Sequence, residues 1–280
     1  MIIENTKKIM KEDNVYAKKK YGQNFLIDKT VLNDIVIASS ISKDDYIIEI
    51  GPGLGTLTEK LCEKANKVLC YEIDRDLALK LPNRLKHYSN YKIINNDFLD
   101  CNIEEDVNNF FGVDAKKIKL IANIPYNITT PIILKVLKEK KIDYLVLMVQ
   151  KELGERFSCA PKCKEYGSIT VFLTHLGRSS IERTVGRLCF EPAPNVESVV
   201  YKFVRNKNEY DEDYLLFLRN SFNQKRKKLS NNLSSAYNIN KKQVEQFLLD
   251  KGISSLCRAE ELSDNEFYDL YLSFRCEQWK

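Results

Sequence analysis

The sequence predicts an α/β fold: a mostly parallel sheet covered by helices on both faces, with an antiparallel strand, followed by a small all-helical C-terminal domain. Three observations carry this. Short apolar runs of strand length alternate with stretches of helical spacing as far as about Arg205, the signature of a parallel sheet joined by crossover helices. The last two β-rich runs are too close together for a helical crossover between them, so at least one of them is antiparallel. Beyond Asp211 only helical spacing remains.

Taken in order, strands are expected over 46–50, 68–73, 92–95, 118–122 and 144–149. Helices are expected over 31–39, 56–65, 77–85, 132–137 and 168–176, the last ended by Gly177. Pro82 weakens the third helix, because proline lacks the N–H that a helix interior needs. Two further β-rich runs occupy 181–185 and 199–204. The C-terminal helices are marked by Tyr214, Leu215, Leu218 and Phe222, then Val244, Phe247 and Leu248, then Phe267, Leu270 and Tyr271. The domains read as a flexible basic arm over 1–20, a sheet domain over 21–207 and a helical domain over 208–280, with no internal repeats.

Bulk properties narrow the function. The chain has 280 residues, 44% hydrophobic and 30% charged, enough to bury a full core. Its longest clean apolar run, 144–149, is far too short to cross a bilayer, and the N-terminal residues carry charges where a signal peptide needs an apolar stretch. A cytoplasmic protein is expected. The 8 cysteines are scattered, and Cys159 and Cys163 have no nearby His/Cys pair to complete a zinc site, so reduced thiols and no metal are expected. With only 2 histidines, His87 and His175, a histidine-centred active site is disfavoured. The net charge is +5, concentrated at Lys18-Lys19-Lys20 and Lys225-Arg226-Lys227-Lys228. Such clusters fit either a solvated face or a polyanionic partner.

Two motifs carry chemistry. Glu49-Ile50-Gly51-Pro52-Gly53-Leu54-Gly55 follows an expected strand and opens an expected helix. Glycines there allow a sharp turn and close approach of a ligand, although a tight turn without a ligand has the same appearance. Glu72 at the next strand end can accept from ribose hydroxyls, and Asp97 after the third can accept from an adenine amine. Ligands bind at such carboxyl ends in open α/β sheets. A nicotinamide enzyme shares these first features but has no use for Asn123-Ile124-Pro125-Tyr126 at the end of the fourth strand. An amide, a carbonyl on a proline-stiffened turn and an aromatic ring suit a planar base with an exocyclic amine. Together the motifs point to methyl transfer from S-adenosylmethionine to a nucleobase amino group.

With these residues in view, the chain resembles the ribosomal RNA adenine N6-dimethyltransferases, specifically the small-subunit branch linked to kasugamycin sensitivity. The resemblance runs from about Tyr16 to Phe274. It includes Gly22-Gln23-Asn24-Phe25-Leu26-Ile27-Asp28, the two motifs above, Gln150-Lys151-Glu152 with Glu155-Arg156, and Phe190-Glu191-Pro192-Ala193-Pro194-Asn195-Val196. In the helical region, Phe222-Asn223-Gln224-Lys225-Arg226-Lys227-Lys228-Leu229 and Arg258-Ala259-Glu260-Glu261-Leu262-Ser263 resemble the small-subunit enzymes rather than the macrolide-resistance enzymes acting on the large subunit. Ile124 replaces the commoner leucine, and Ala160-Pro161-Lys162-Cys163-Lys164 departs from a loop that usually contains Gly or Ser.

The resemblance implies a Rossmann-like class I methyltransferase fold and dimethylation of two adjacent adenines in a loop of small-subunit rRNA, on a 30S pre-ribosomal particle, by a monomer. It implies S-adenosylmethionine contacts at Asn24, Leu26, Gly51, Glu72, Asp97 and Asn123, to which the glycine turn adds Gly53. The expected catalytic group is Asn123, Pro125, Tyr126 and Phe190. Tyr126 and Phe190 would sandwich the extruded base, with core packing the other reading for Phe190. Lys18, Lys19, Lys20 and the Lys225–Lys228 cluster, placed on one or two helical turns, would grip phosphates. Three other functions compete: a large-subunit adenine methyltransferase, a catalytically silent ribosome-assembly or transcription factor, and a nicotinamide oxidoreductase.

Overall fold

The computed structural model describes residues 2–12, 15–206 and 209–279. The expected domain boundary at 207/208, and Met1, Asp13 and Asn14 of the expected arm, lie outside them. Helix α1 (Ile2–Glu12) precedes the two-residue strand β1 (Phe25–Leu26) and α2 (Lys29–Ala38). Then β2 (Tyr46–Ile50), α3 (Thr56–Lys64), β3 (Lys67–Tyr71), α4 (Arg75–Arg84), β4 (Tyr91–Ile94), α5 (Ile103–Phe110), β5 (Ile118–Asn123), α6 (Thr129–Lys138) and β6 (Ile142–Gln150) alternate. Next come α7 (Lys151–Ser158), α8 (Ser168–Leu176), β7 (Gly177–Val185), β8 (Phe190–Glu191) and β9 (Ser198–Arg205). The chain ends in α9 (Glu212–Ser221), α10 (Leu229–Tyr237), α11 (Lys241–Asp250) and α12 (Asp264–Cys276).

Seven strands form one sheet in the order β4-β3-β2-β5-β6-β9-β7. The β2 to β6 strands pair in parallel, and β9 runs antiparallel to β6, so one of the last two β-rich runs is antiparallel as expected. Strand order reverses between β2 and β5: the chain builds outward through β3 and β4, then returns to the other side of β2. That switch point opens a crevice at the carboxyl ends of β2 and β5. Ile47, Ile48, Val68, Leu69, Leu120, Ile121, Leu145 and Val146 are almost fully buried, which is why these strands read as continuous apolar runs.

Several elements leave little trace in the spacing. In α5 only Ile103 and Val107 are buried, so its apolar stripe is one turn long. The β1–β8 pair is two residues a side, Phe25 opposite Glu191 and Leu26 opposite Phe190. Pro82 is accommodated within α4, in its last turn, at the cost of the one hydrogen bond its missing N–H would make to the preceding turn. Residues expected as part of an irregular arm form α1, with Ile9 and Met10 packed against the cluster of Val15, Phe25, Leu54 and Leu77.

Two compact units emerge: residues through Gly154 with Ser180–Val204, and Glu155–Ser179 with residues from Arg205 onward. Helix α8 therefore groups with the C-terminal helices, whereas the spacing places it in the sheet domain. The reason is aromatic. Phe172 of α8 meets Tyr210 and Tyr214 with ring centroids 5.2 and 6.1 Å apart, and His175 meets Tyr214 and Tyr268 at 5.1 and 4.2 Å. Helices α8, α9 and α12 share this core.

Within the sheet unit, Gly154 of α7 lies directly against β9. A Cβ there would come within 2.4 Å of a Val199 methyl carbon. Gly154→Ala is expected to lower unfolding free energy by about 1–3 kcal/mol, as overpacking does. Adding Val199→Ala should relieve part of that loss, giving favourable coupling in a urea-denaturation double-mutant cycle. Simple additivity would show that the clash with Val199 is not the cause.

Candidate active site

The crevice at the switch point encloses about 1000 Å³ of space, part of it open to solvent. Its wall begins with the glycine turn after β2. Gly51, Gly53 and Gly55 have φ of 67°, 57° and 78°, backbone that disfavours any side chain. A Cβ on Gly53 would also lie 3.2 Å from the Phe25 ring. The turn is thus a bare-backbone cradle at the start of α3.

Glu72, just beyond β3, is only 3% exposed. Its Oε2 accepts from the Gly53 amide at 3.0 Å, and its Oε1 from the Asp74 amide at 2.9 Å. A carboxylate offers about four acceptor sites, so the same group retains capacity for ligand hydroxyls. Burial raises its pKa, against the pull of the Asp74 and Gly53 amides. Asp97 lies past β4, where its carboxylate accepts from the Leu99 amide at 2.9 Å. Both line the crevice, as do Asn24, Leu26, Gly51, Gly53 and Asn123. All seven expected cofactor residues are therefore brought together.

Asn123 ends β5 on the opposite lip. Its Nδ2 donates to the Asn24 carbonyl at 3.1 Å, which sets the amide and leaves Oδ1 as an acceptor. Asn24 in turn donates through Nδ2 to the Gly22 carbonyl at 3.1 Å. Pro125 and Tyr126 also line the crevice, and the Tyr126 hydroxyl lies 2.6 Å from the buried Ser198 hydroxyl. Burial raises the Tyr126 pKa, so it stays a neutral phenol.

Three expected placements differ in the structure. Phe190 is not among the residues that line the crevice. It is 2% exposed and packs into the apolar cluster beside Leu26, because β8 pairing with β1 turns it inward. Lys18 is engaged within the protein, its Nζ 2.7 Å from Asp74 Oδ1 and 2.5 Å from Asp76 Oδ2. The 225–228 cluster lies in the non-helical connection between α9 and α10, not on helical turns. There Lys225 donates to the Lys164 carbonyl and lies 3.6 Å from Glu260, while Arg226 and Lys227 are exposed. Lys19 and Lys20 are exposed as well.

Among the other residues that line the crevice without a role assigned from the sequence are Ile73, exposed beside Glu72; Phe98, buried beside Asp97; and Glu49. Position next to an acid at a strand end is the signal that marks the first two. All eight cysteines are free thiols, and no group of three or more metal-ligating side chains occurs among the described residues.

A family model described as "Ribosomal RNA adenine dimethylase" matches residues 14–275. The chain belongs to this family. The dimethylase is 43% identical to a Ribosomal RNA small subunit methyltransferase A of Clostridium botulinum, over 94% of this chain and 96% of that protein. It is 39% identical to the protein of that name in Staphylococcus aureus, over 91% and 88%. Among solved structures, a dimethyladenosine transferase from Plasmodium falciparum superposes with a TM-score of 0.76 at 26% identity, over 89% of this chain and 96% of that one. The 23S rRNA methyltransferase ErmE shares the fold, with a TM-score of 0.67 at 24% identity over 89% and 98%. The Rossmann-like class I methyltransferase architecture of the dimethylase is thereby shown. The bare-backbone cradle and the two strand-end carboxylates fit S-adenosylmethionine, the cofactor of such enzymes.

Glu49 yields a pH prediction. It is 1% exposed, and burial, with the Glu72 charge adding, pushes its pKa from 4.5 up to about 8. A carboxyl whose folded pKa exceeds its unfolded value stabilises the fold when protonated and loses that contribution as pH rises. Ligand-free protein is expected to lose stability between about pH 4.5 and 8. Glu49→Gln should flatten that slope by at most about 1.4 kcal/mol per pH unit, measured by urea denaturation across the window. An unchanged slope would show that Glu49 ionises normally.

Proposed function

We propose that this chain transfers methyl groups from S-adenosylmethionine to N6 of adenine in small-subunit ribosomal RNA, dimethylating two adjacent loop adenines. It acts as a cytoplasmic monomer on a 30S pre-ribosomal particle. The observation that carries the chemistry is the Asn123 amide, oriented by the Asn24 carbonyl and set opposite the glycine turn, Glu72 and Asp97. The small-subunit assignment is supported by relatives of that name over nearly the whole chain. No helix among the described residues is long and apolar enough to cross a membrane.

When bound, S-adenosylmethionine supplies an electrophilic methyl on a sulfonium. Adenine N6 is a weak nucleophile because its lone pair is delocalised into the ring. Asn123 Oδ1 and the Ile124 carbonyl accept its two amino protons. The Pro125 carbonyl is already used, accepting from the Ile128 amide at 3.3 Å. Accepting both protons favours a pyramidal nitrogen with its lone pair aimed at the methyl. The rate then comes from alignment and preorganised dipoles. Tyr126, anchored through Ser198 and neutral, is a wall for the base rather than a base catalyst. The amine formed is cationic and loses its proton without a strong base. Pro125, with its fixed φ and no N–H, stiffens the turn.

RNA is held by exposed cations: Lys19 and Lys20 in the sheet unit, Arg226 and Lys227 in the helical unit. The turn bearing the latter is braced from beneath. Asn232, 4% exposed, donates to the Ser221 carbonyl at 2.7 Å and the Gln224 carbonyl at 3.3 Å.

The deciding experiment is tritiated methyl transfer to undermethylated 30S and 50S particles, followed by nucleoside analysis. Dimethyladenosine from 30S alone is expected; label in 50S would assign the large-subunit activity instead. Asn123→Ala should reduce turnover by about 10²-fold or more while changing S-adenosylhomocysteine affinity only moderately. Near-normal turnover would remove Asn123 from the chemistry. Replacing Arg226 and Lys227 together should lower the slope of log affinity against log salt by about 0.7–0.9 for each phosphate no longer neutralised, with cofactor affinity unchanged. A slope equal to wild type would return the cluster to a solvated face.

A further inference from the structure

The segment 18–24 forms a strap whose far end lines the cofactor crevice through Tyr21, Gly22, Gln23 and Asn24. Its near end is Lys18. Between them the backbone closes a tight turn, with the Tyr21 amide on the Lys18 carbonyl and the Gly22 amide on the Lys19 carbonyl, both at 3.0 Å. The Lys18 amide donates to Gln23 Oε1 at 2.8 Å, drawing the two ends of the strap together.

Asp74 fastens this strap to the body of the sheet unit. It is 2% exposed. Oδ1 accepts from Lys18 Nζ at 2.7 Å and Oδ2 from Gln23 Nε2 at 3.1 Å, so both carboxylate oxygens are engaged by the strap. The Asp74 amide is the one that donates to Glu72 Oε1. A continuous chain of hydrogen bonds thus runs from Lys18 through Asp74 to Glu72 and on to the Gly53 amide. At the strap's other end, the Asn24 carbonyl holds the Asn123 amide. Burial alone would raise the Asp74 pKa; the hydrogen bonds from Lys18 and Gln23 outweigh it and hold the carboxyl below its usual value.

We propose that Lys18, Gln23 and Asp74 form a clasp that holds the 18–24 strap over the cofactor, making Lys18 a positioning residue for cofactor binding and not a phosphate contact for RNA. The proposal rests on reading the crevice as the cofactor site. A basic residue in a lysine run invites assignment to RNA, but a lysine whose ammonium is bound by two carboxylates presents little net charge to a phosphate. Releasing it frees the strap that supplies one wall of the crevice and the acceptor that orients Asn123. The clasp therefore couples cofactor affinity to the alignment of the catalytic amide.

The test uses the full chain and S-adenosylhomocysteine in calorimetry, with a filter-binding salt titration on 30S particles in parallel. Lys18→Ala should weaken cofactor-analogue binding about three- to tenfold, the range expected when an ion pair and the order it imposes are both removed. It should also lower kcat, because Asn24 no longer holds Asn123. Lys18→Arg should restore both. The analogue affinity of wild type should fall with added salt more steeply than that of Lys18→Ala, since salt screens the pair. The thermal midpoint of the ligand-free variants separates this from simple misfolding; if Lys18→Ala does not fold, Gln23→Ala carries the same expectation. The RNA salt slope should not change. An unchanged analogue affinity with a reduced RNA slope would overturn the clasp and return Lys18 to the RNA surface. Glu72→Ala serves as the control for the site: affinity lost there but kept in Lys18→Ala overturns the clasp alone, whereas affinity kept in both overturns the cofactor reading and the clasp with it.

Discussion

The Glu72 carboxylate is the point through which the sheet unit's site is tied together. It lies just beyond β3, and by accepting from the Gly53 and Asp74 amides it joins the glycine turn of one strand–helix connection to the next. A carboxylate buried to this degree is unfavourable unless its lone pairs are used. Two backbone donors satisfy part of that demand and place the acid facing the crevice. The glycine turn uses the same interaction from its own side: the Gly51 amide donates to the Tyr71 carbonyl and the Gly55 amide to the Pro52 carbonyl, which leaves the Gly53 amide to the Glu72 carboxylate.

Charge in the crevice follows from the same arrangement. Glu49 and Glu72 are both buried, burial raises the pKa of each, and the Glu72 charge raises that of Glu49 further. Acids so placed are poised for a positively charged ligand, which relieves the penalty that the pair carries alone. A sulfonium cofactor with an ammonium group is such a ligand. In the proposed reaction the amine needs the opposite provision, acceptors without a strong base, which is the part proposed for Asn123 with the neighbouring carbonyl. These groups lie on two lips of one crevice, at the ends of β2 and β5.

The helical unit answers a different demand. It presents cations on a connection rather than a helix face, and a buried amide, Asn232, holds that connection through two carbonyls. A cationic turn of this kind suits phosphate contacts rather than base readout, which agrees with the proposal that a pocket for one extruded adenine carries the specificity. Helix α8 joins this unit because its aromatic side chains find their ring partners on α9 and α12.

By itself the sequence determined the sheet strands, the antiparallel return and, at the crevice, the glycine turn, Glu72 and Asp97, because each rests on local chemistry: apolar runs of strand length, glycines where φ must be positive, acids at strand ends; Asn24 and Leu26 came from the family resemblance alone. It also carried the Asn123–Tyr126 motif, since a turn that short is built from neighbours. What it could not decide was anything set by partners distant in the chain. Phe190 reads equally as a base-stacking ring or as core packing, and it is β8 pairing with β1 that places it against Leu26. Lys18 reads as a phosphate ligand until Asp74 and Asp76 approach it from 56 and 58 residues away. Helix α8 reads as part of the sheet domain until Tyr210, Tyr214 and Tyr268 gather round it. In each case the residue type is compatible with two environments, and only the packing of remote segments selects one.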